Sequence, residues 1–260
     1  MKIAAIILLI AFPITLWGQS QNANPSRDFI NTVLWQQRSG EYRALAFQAY
    51  NFARLSLDCA LKQNKRKKPP KCIIVDIDET VLDNSPFQGH ELHKGISFLP
   101  EDWYNWTARA VADTVPGAFS FLKYAESRKV EVFYVTNRDR SEFQATLQNL
   151  KKFNFPFADE NHLLVKDKTS DKEPRRTEIA KSHKILLLCG DNLNDFSDVF
   201  YLKGREAREV VNEMQGMFGY QFIMLPNPMY GDWEQEIYRP ARNLSESEKA
   251  DLRLKAINGY

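Results

Sequence analysis

Short apolar runs alternate with helix-period segments along most of this 260-residue chain. Runs of this length predict buried β-strands. They lie at 72–77, 130–135, 163–165, 185–189 and 222–225. Strands that alternate with helices predict an α/β protein with a mostly parallel sheet and helices on both faces.

The segments between these runs predict the helices. Apolar residues recur at helical spacing in the first of them, and prolines open two others. The predicted helices are two within 27–61 that break at Ser39-Gly40, one from Pro100, one from Pro116, then 141–153, 175–182, 206–214 and one from Ser245. His90 and His93 have helical spacing, but Gly89 and Gly95 flank them, so we expect a loop there.

The first residues have the pattern of a secretory signal peptide. Lys2 precedes an apolar stretch at 3–17, and small or polar residues follow. We therefore expect residues 1–20 to be removed, leaving 21–260 as a single exported domain in the periplasm or outside the cell. The stretch is too short, and too interrupted by proline, to favour a stable membrane span. Since no cysteine lies near its end, a lipid anchor is not expected.

Composition narrows the class of protein further. With 43% apolar residues the chain can bury a core, and one elaborated domain is expected. The net charge of +2 selects no class of partner. The basic run at 62–71 lacks interleaved aromatic residues, so we expect a solvated loop rather than a nucleic-acid patch. Cys59, Cys72 and Cys189 have no metal-ligand spacing, and we expect buried free thiols.

Paired aspartates follow two of the predicted strands. Asp76 and Asp78 close the first strand, and Asp191 and Asp195 follow the strand at 185–189. Open α/β sheets hold their ligands at the carboxyl ends of their strands, so these side chains are expected at one edge of the sheet. Four clustered carboxylates repel one another unless a cation lies between them. The sequence therefore predicts a site for a hard divalent ion such as Mg²⁺.

A carboxylate at this position suits phosphoryl transfer. Asp76 is the natural nucleophile, because attack on phosphorus would form an aspartyl-phosphate and divide the hydrolysis into two easier steps. Asp78 is then expected to protonate the leaving oxygen and later to deprotonate the attacking water. Thr136 and Asn137, at the end of the next strand, and Lys172 supply hydrogen-bond donors and positive charge for the phosphoryl group.

Each of these signals also has an ordinary structural interpretation. A D-x-D pair in a loop is commonly a turn or a helix cap, Thr-Asn after a strand is common turn chemistry, and Lys172 lies in a charged stretch typical of a surface. The order of the motifs favours the chemical interpretation. Strand–DxDxT, strand–TN, lysine and strand–GDxxxD occur in succession along the chain.

These motifs resemble those of the haloacid dehalogenase (HAD) superfamily, whose phosphatases use an aspartate nucleophile. More narrowly, they are similar to those of the class C bacterial acid phosphatases, which include the lipoprotein e 5′-nucleotidases. The similarity covers nearly the whole mature chain. The matching segments are 76–86 (DIDETVLDNSP), 134–138 (YVTNR), 166–168 (KDK), 190–196 (GDNLNDF) and 225–234 (LPNPMYGDWE).

The resemblance implies a HAD-like, Rossmann-like core with a helical cap, contributed here by elements at about 25–65 and 84–115. It also implies Mg²⁺ dependence and hydrolysis of phosphomonoesters at acidic pH, with a small-molecule substrate rather than a nucleic-acid polymer. Thr136 and Lys172 would hold the phosphate. One departure concerns the anchor: the lipoproteins of the family begin with a lipidated cysteine, and this chain has no cysteine at that place.

Carried over by position, the resemblance also assigns roles to the four aspartates. It implies that Asp76 is the nucleophile and that Asp78 is the acid/base, which also offers the metal a backbone carbonyl. Asp191 would be a metal ligand, and Asp195 would support the metal directly or through water.

Aromatic residues near the cap bear on the substrate. Phe87, Trp103, Trp106 and Tyr230 are candidates to stack on a nucleobase or another flat leaving group. Trp103 and Trp106 are spaced as helix-core residues, so a packing role is at least as good an interpretation for those two. Tyr230 lies in a Pro/Gly-rich loop without periodicity, which favours function. Nucleoside monophosphates are therefore the favoured substrates, with broad specificity left open.

Other functions are weighed against a phosphatase. A non-catalytic or weakly catalytic relative that serves as a surface binding or storage protein would have lost its nucleophile, and Asp76 is present. A cofactor-scavenging surface protein would carry a ligand motif such as one for haem, and none is seen. Among enzymes, a phosphotransferase remains open, because other alcohols compete with water for the same aspartyl-phosphate. A homodimer is also left open.

Overall fold

The computed structural model describes residues 28–65, 68–201 and 205–260. The predicted signal peptide at 1–20 and part of the basic run therefore lie outside the described residues. Within the described ranges, no helix is both long enough and apolar enough to span a membrane.

Five of the described strands form one parallel sheet. In spatial order they are β5 (Leu163–Leu164), β4 (Glu131–Val135), β1 (Lys71–Val75), β6 (Lys184–Gly190) and β7 (Phe222–Met224). The central strand pairs on both sides, since Ile74 of β1 lies opposite Phe133 of β4 and Leu188 of β6. The five predicted strands and the parallel α/β sheet are therefore confirmed.

Helices cover both faces of this sheet. In chain order the described helices are α1 (Ile30–Arg38), α2 (Gly40–Gln63), α3 (Ser85–Lys94), α4 (Pro100–Thr107), α5 (Ala118–Ser127), α6 (Phe143–Lys152), α7 (Glu173–Ser182), α8 (Ala207–Glu213), α9 (Asp232–Tyr238) and α10 (Glu246–Ala256). The predicted break between α1 and α2 is confirmed: Ser39 is extended, and its hydroxyl accepts a hydrogen bond from Tyr42 N–H at 3.0 Å.

The central strand alternates its side chains between two buried clusters. Ile73 and Val75 pack with α2 and α5 on one face, whereas Cys72 and Ile74 pack with α7 and α8 on the other. A strand that is buried on both faces needs no polar residue on either side. This explains why residues 72–75 are all apolar. Because β1 is the central strand, its carboxyl end lies at the middle of the sheet edge.

The first strand is shorter than predicted. It ends at Val75 because the chain turns back beyond it: the N–H groups of Val81 and Leu82 both donate to the Ile77 carbonyl at 2.8 Å. Glu79 takes a left-handed backbone conformation in this turn, with φ of 57°. Asp76 therefore continues the sheet, while Asp78 belongs to the turn.

A small insertion follows this turn, between β1 and α5. It contains α3, α4 and a two-stranded antiparallel ribbon of β2 (Leu82–Asp83) and β3 (Asp113–Thr114). Helix α1 packs against α3, so the N-terminal helix joins the same side of the molecule.

The loop predicted around His90 and His93 is wrong, because both residues lie within α3. A proline in the first turn favours this helix, and Gly95, with φ of 66°, ends it in the left-handed conformation. Gly89 is tolerated inside the helix. One helix was also missed, α9, whose residues lie in the segment that follows the Pro/Gly-rich loop.

The cysteines are only partly as predicted. All three are free thiols, and Cys72 and Cys189 are buried on the central strands. Cys59 is exposed, which corrects the expectation that it is buried. It lies near the end of the long helix α2, where the side chain points away from the core cluster.

Candidate active site

The carboxyl end of β1 places Asp76 at the middle of the sheet edge. Its N–H donates to the Cys189 carbonyl of β6 at 2.9 Å, so strand pairing continues one residue beyond β1. The Asp76 side chain is buried, with 7% of the residue exposed. Burial raises the pKa of its carboxyl well above the usual value; Lys172 opposes the rise, and the neighbouring aspartates reinforce it.

Lys172 brings a buried cation to this carboxylate. It precedes α7, and its ammonium donates to Asp76 Oδ1 and, at 2.5 Å, to Asp195 Oδ1. Burial lowers the pKa of Lys172, but Asp195 and Asp76 outweigh burial and raise it above the usual value. Lys172 therefore stays charged. Its exposure of 5% also excludes the surface interpretation that its charged neighbourhood allowed.

Strand β6 delivers the second acidic pair through a tight turn. Asp195 ends a 3-10 turn, and its Oδ2 accepts a hydrogen bond from Asn192 N–H at 3.0 Å. A Cβ at Gly190 would lie 2.3 Å from Asp195 Oδ2, so the carboxylate folds back over the strand end only because this residue is glycine.

Asp76, Asp191 and Asp195 form a cluster of carboxylates. Each contributes one oxygen, and these oxygens all lie within 4.8 Å of one another. Asp191 is held in place because it accepts hydrogen bonds from Thr80 Oγ1 at 3.1 Å and from Asn227 Nδ2 at 2.8 Å. Burial raises the pKa of the Asp191 carboxyl to about 7, and Asp195 adds to the rise.

This donor set fits a divalent metal ion. Carboxylate oxygens are the ligands that hard cations prefer. Burial raises the pKa of Asp191, and the negative charge of the neighbouring Asp195 raises it further. The ammonium of Lys172 contacts Asp76 and Asp195 but leaves the cluster with more negative than positive charge. A cation that bridges the three carboxylates would remove this repulsion.

Asp78 lies apart from this cluster in its contacts. Its carboxylate forms an ion pair with the buried Arg138, whose Nε and Nη2 donate to Asp78 Oδ1 at 3.0 and 2.7 Å. Asn84 Nδ2 donates to the same oxygen at 2.8 Å. The sequence predicted all four aspartate carboxylates at one site. In the structure, the carboxylates of Asp76, Asp191 and Asp195 cluster together, whereas the Asp78 carboxylate accepts hydrogen bonds from Arg138 and Asn84. Asp76 and Asp78 nevertheless line the same cavity.

The end of β4 contributes Thr136 and Asn137. Thr136 is fully buried; its Oγ1 donates to Asp78 Oδ2 at 3.4 Å and accepts from Arg138 N–H at 3.1 Å. Asn137 lines the cavity, and its Oδ1 accepts a hydrogen bond from Arg175 Nη2 at 2.7 Å. The two residues predicted to bind phosphate therefore differ: Asn137 faces the cavity directly, whereas Thr136 touches Asp78.

A buried polar network supports the turn that carries Asp78. Asn84 N–H donates to Glu79 Oε1 at 2.7 Å, and Asn84 Nδ2 reaches Glu79 Oε2 at 3.2 Å. The hydroxyl of Tyr230 donates to the same carboxyl. Burial raises the pKa of Glu79 well above its usual value, and Asp78 adds to the rise, whereas the Tyr230 hydrogen bond lowers it. Tyr230 therefore has a structural contact as well as a place in the cavity wall.

A cavity of about 760 Å³ opens over these residues. The buried Phe87 lies in its wall, with its ring 5.1 Å from that of Trp103 and 6.1 Å from that of Phe98, both in edge-to-face contact. Phe87, Phe98, Trp103 and Tyr230 line the cavity together, and we call these four residues the aromatic wall. The cavity thus contains charged side chains around Asp76 and an aromatic wall.

Trp106 has a different position from Trp103. Its indole Nε1 donates to Asn84 Oδ1 at 2.8 Å, and its ring packs against the buried core cluster. The packing interpretation therefore holds for Trp106, while Trp103 joins the aromatic wall.

Sequence reasoning missed several residues that contact the site. Arg138 lies in the Tyr-Val-Thr-Asn-Arg segment, and Glu79 and Asn84 lie in the first motif, but the motifs alone assign these three residues no role. Each follows a predicted site residue closely in the chain. The position of Arg138, directly after the polar end of a buried strand, could have indicated its role. A buried arginine needs an anionic partner, which here is Asp78.

Comparisons with known proteins agree with this geometry. The family model described as "HAD superfamily, subfamily IIIB (Acid phosphatase)" matches residues 17–233. The structure is similar to that of the class C acid phosphatase from Bacillus anthracis, with 37% sequence identity and a TM-score of 0.85 over 91% of this chain and 99% of that chain. It is equally similar to the tungstate-bound structure of the Bacillus anthracis enzyme, at 37% identity and a TM-score of 0.84, with the same coverage.

The predicted resemblance is thereby confirmed, both for the family and for the fold. The match spans β1 with its acidic pair, β6 with the second pair, and the lysine between them. The chain belongs to the subfamily IIIB acid phosphatases of the HAD superfamily, and it is a phosphomonoesterase of the class C type.

Proposed function

We propose that this phosphatase is an exported, magnesium-dependent 5′-nucleotidase that hydrolyses nucleoside monophosphates through an aspartyl-phosphate. The observation that carries the proposal is the position of Asp76, a buried carboxylate that contacts the charged Lys172 and belongs to an acidic cluster, in a cavity with an aromatic wall. Such a cavity offers a nucleophile and a cation to the phosphate and a stacking surface to a flat leaving group.

Two aspartates carry the proton and phosphoryl transfers. An Asp76 oxygen attacks phosphorus, an O–P bond forms, and the bond from phosphorus to the leaving oxygen breaks. Asp78 gives its proton to that oxygen, so that the alcohol leaves neutral. Asp78 then takes a proton from water while the water oxygen attacks the phosphorus, and Asp76 is released as a carboxylate together with inorganic phosphate.

Hydrogen-bond donors around Asp76 orient the phosphoryl group. Lys172 contacts Asp76, so its ammonium can also stabilise the negative charge on the oxygens of a phosphoryl group bound to Asp76. Asn137 lines the cavity at the end of β4 and offers its amide, and Thr136 fixes Asp78 through its hydroxyl. The tungstate in a similar structure is a tetrahedral oxyanion like phosphate, which supports oxyanion binding in this family.

Mg²⁺ is the ion that we assign to the acidic cluster. Asp76, Asp191 and Asp195 would hold it through carboxylate oxygens, and Asp78 would add its backbone carbonyl. When bound, the ion offsets the negative charge of the phosphate and of the attacking carboxylate. Lys172 supplies further positive charge through its contacts with Asp76 and Asp195.

The aromatic wall selects the leaving group. The rings of this wall are in edge-to-face contact and line the same cavity as Asp76. An apolar surface in the same cavity as the nucleophile suits a nucleobase that is joined to the phosphate through ribose. Part of this wall comes from α3 and α4, which lie within 84–115. We assign this segment, together with 25–65, as the cap.

A substrate panel tests this proposal. We expect AMP and CMP to be hydrolysed with a kcat/KM at least about tenfold above that of ribose 5-phosphate, because stacking of a base contributes about 1–3 kcal/mol. Phe98→Ala should reduce this preference. Phe119→Ala is the matched control, since Phe119 is also an exposed phenylalanine but lies on α5, outside the cavity wall. Equal rates for nucleotides and ribose 5-phosphate would contradict a nucleotidase.

Export is tested separately. The apolar leader predicts cleavage after roughly 18–20 residues. Mass spectrometry of the protein from its native host should find an N-terminus near Gln19 or Gln21. An intact Met1 or an acylated terminus would show that the leader is not processed as a signal peptide.

A further inference from the structure

Glu91 is a buried acidic residue that lines the active-site cavity. It lies on α3 and is only 8% exposed. Within the described residues, its Oε1 has no hydrogen-bond partner. A buried acceptor left in this state costs free energy, which a ligand that donates a hydrogen bond would recover.

The position of Glu91 relates it to the leaving group. Phe87 precedes it by four residues, so the two side chains lie on the same face of α3. Phe87 is the centre of the aromatic wall, in contact with Phe98 and Trp103. Both residues line the cavity, so a flat group bound against this wall would lie on the same side of the cavity as Glu91.

The charges around Glu91 restrict what it can bind. Burial raises the pKa of Glu91 to about 7, and Asp102 on α4 adds to the rise. Two neighbouring carboxyl groups disfavour a second anionic group on the substrate. In either protonation state Glu91 keeps an acceptor oxygen. The complementary ligand edge is therefore one with an N–H donor.

We propose that Glu91 is a specificity-determining residue that accepts a hydrogen bond from the exocyclic amino group of the stacked nucleobase. This inference rests on the proposed nucleotidase function. It deepens that function, since it selects adenine and cytosine nucleotides over analogues whose ring edge lacks the donor.

Analogues that lack only the amino group isolate this contact. Purine riboside 5′-monophosphate is AMP with hydrogen in place of the amino group, and the pyrimidin-2-one nucleotide is related to CMP in the same way. Phosphate, ribose and ring are otherwise shared. We expect the full-length enzyme to prefer AMP and CMP by about tenfold in kcat/KM, the usual worth of one hydrogen bond to a charged or buried group.

Two substitutions of Glu91 separate recognition from packing. Glu91→Leu fills a similar volume without an acceptor, so both preferences should fall to about one. Glu91→Gln keeps a carbonyl oxygen and should retain part of each preference. Glu101→Leu, at an exposed position on α4 outside the cavity wall, is the matched control and should keep the tenfold preference.

The outcomes distinguish this inference from the function on which it rests. If nucleotides exceed ribose 5-phosphate but the wild-type enzyme does not distinguish AMP from its deamino analogue, the role of Glu91 is refuted and the nucleotidase stands. The same conclusion follows if Glu91→Leu keeps the preference. If nucleotides do not exceed ribose 5-phosphate, both fail together. If Glu91→Leu does not fold, a wild-type ratio of about one still refutes the role of Glu91. The isosteric Glu91→Gln then tests the residue in its place, and an undiminished preference in that variant would also refute the role.

Discussion

Asp76→Asn is expected to abolish both turnover and the covalent phosphate. A carboxamide oxygen is a poor nucleophile, and the substitution leaves Lys172 with only Asp195 as a buried anionic partner. Acid-quenched enzyme analysed by mass spectrometry should show the added phosphate in the wild type and none in Asp76→Asn. Phosphate release measured in parallel should fall to the background rate.

Asp78→Asn is the informative comparison, because it leaves the nucleophile in place. We expect turnover to fall by about 10²–10⁴-fold, the usual worth of a positioned proton donor. The loss should be smallest for nitrophenyl phosphate, whose leaving group needs little protonation, and largest for nucleotides. An Asp78→Asn enzyme that is equally impaired on good and poor leaving groups at saturating metal would refute the acid/base role.

The structure adds a stability cost to this second variant. Asp78 pairs with Arg138, whose side chain is 1% exposed, so the substitution leaves a buried guanidinium without its anion. Removal of one partner of a buried pair costs about 3–5 kcal/mol. The assays should therefore be run well below the melting temperature of each variant, and metal affinity should be measured separately.

Chelation is expected to remove activity completely, and Mg²⁺ is expected to restore it. The oxygens of Asp76, Asp191 and Asp195 lie within 4.8 Å of one another, and a bound cation would reduce the repulsion among them. Mg²⁺ should also raise the melting temperature of the wild-type protein, since it binds the folded state. Asp191→Asn should lose most of this rise. Full activity in excess chelator would contradict the assignment.

A control and a pH series sharpen the metal test. Asp198→Asn, at an exposed aspartate three residues beyond Asp195, should keep the response to Mg²⁺. Because burial and Asp195 raise the pKa of Asp191 to about 7, protons compete with the metal below that pH. The apparent Kd for Mg²⁺, measured by calorimetry, should therefore rise as the pH falls from 8 to 5.

The sequence could place the acidic pairs because they depend on local chemistry. Each follows a short apolar run, and parallel strands bring their carboxyl ends to one edge of a sheet. The order of the motifs also pointed to the family, and the comparisons confirm that inference. The loop predicted at His90 is wrong because the flanking glycines do not prevent a helix that packs against α1.

Contacts between residues that are far apart in the chain could not be predicted from the sequence. Lys172 lies 96 positions from Asp76, and Tyr230 lies 151 positions from Glu79, so no spacing rule relates either pair. Which carboxylates share a cluster depends on the turn after Asp76, which brings Asp78 to a buried arginine.

The sequence by itself determined the strands, the aspartates at their ends and hence the chemistry, since these follow from apolar periodicity and residue type. Only the tertiary structure decided which charges are paired and which stay unpartnered. Pairing depends on side-chain distances and on burial, and both arise when the chain packs. Glu91 illustrates the difference: in the sequence it is one of many acidic residues, and in the fold it is a buried acceptor in the wall of the cavity.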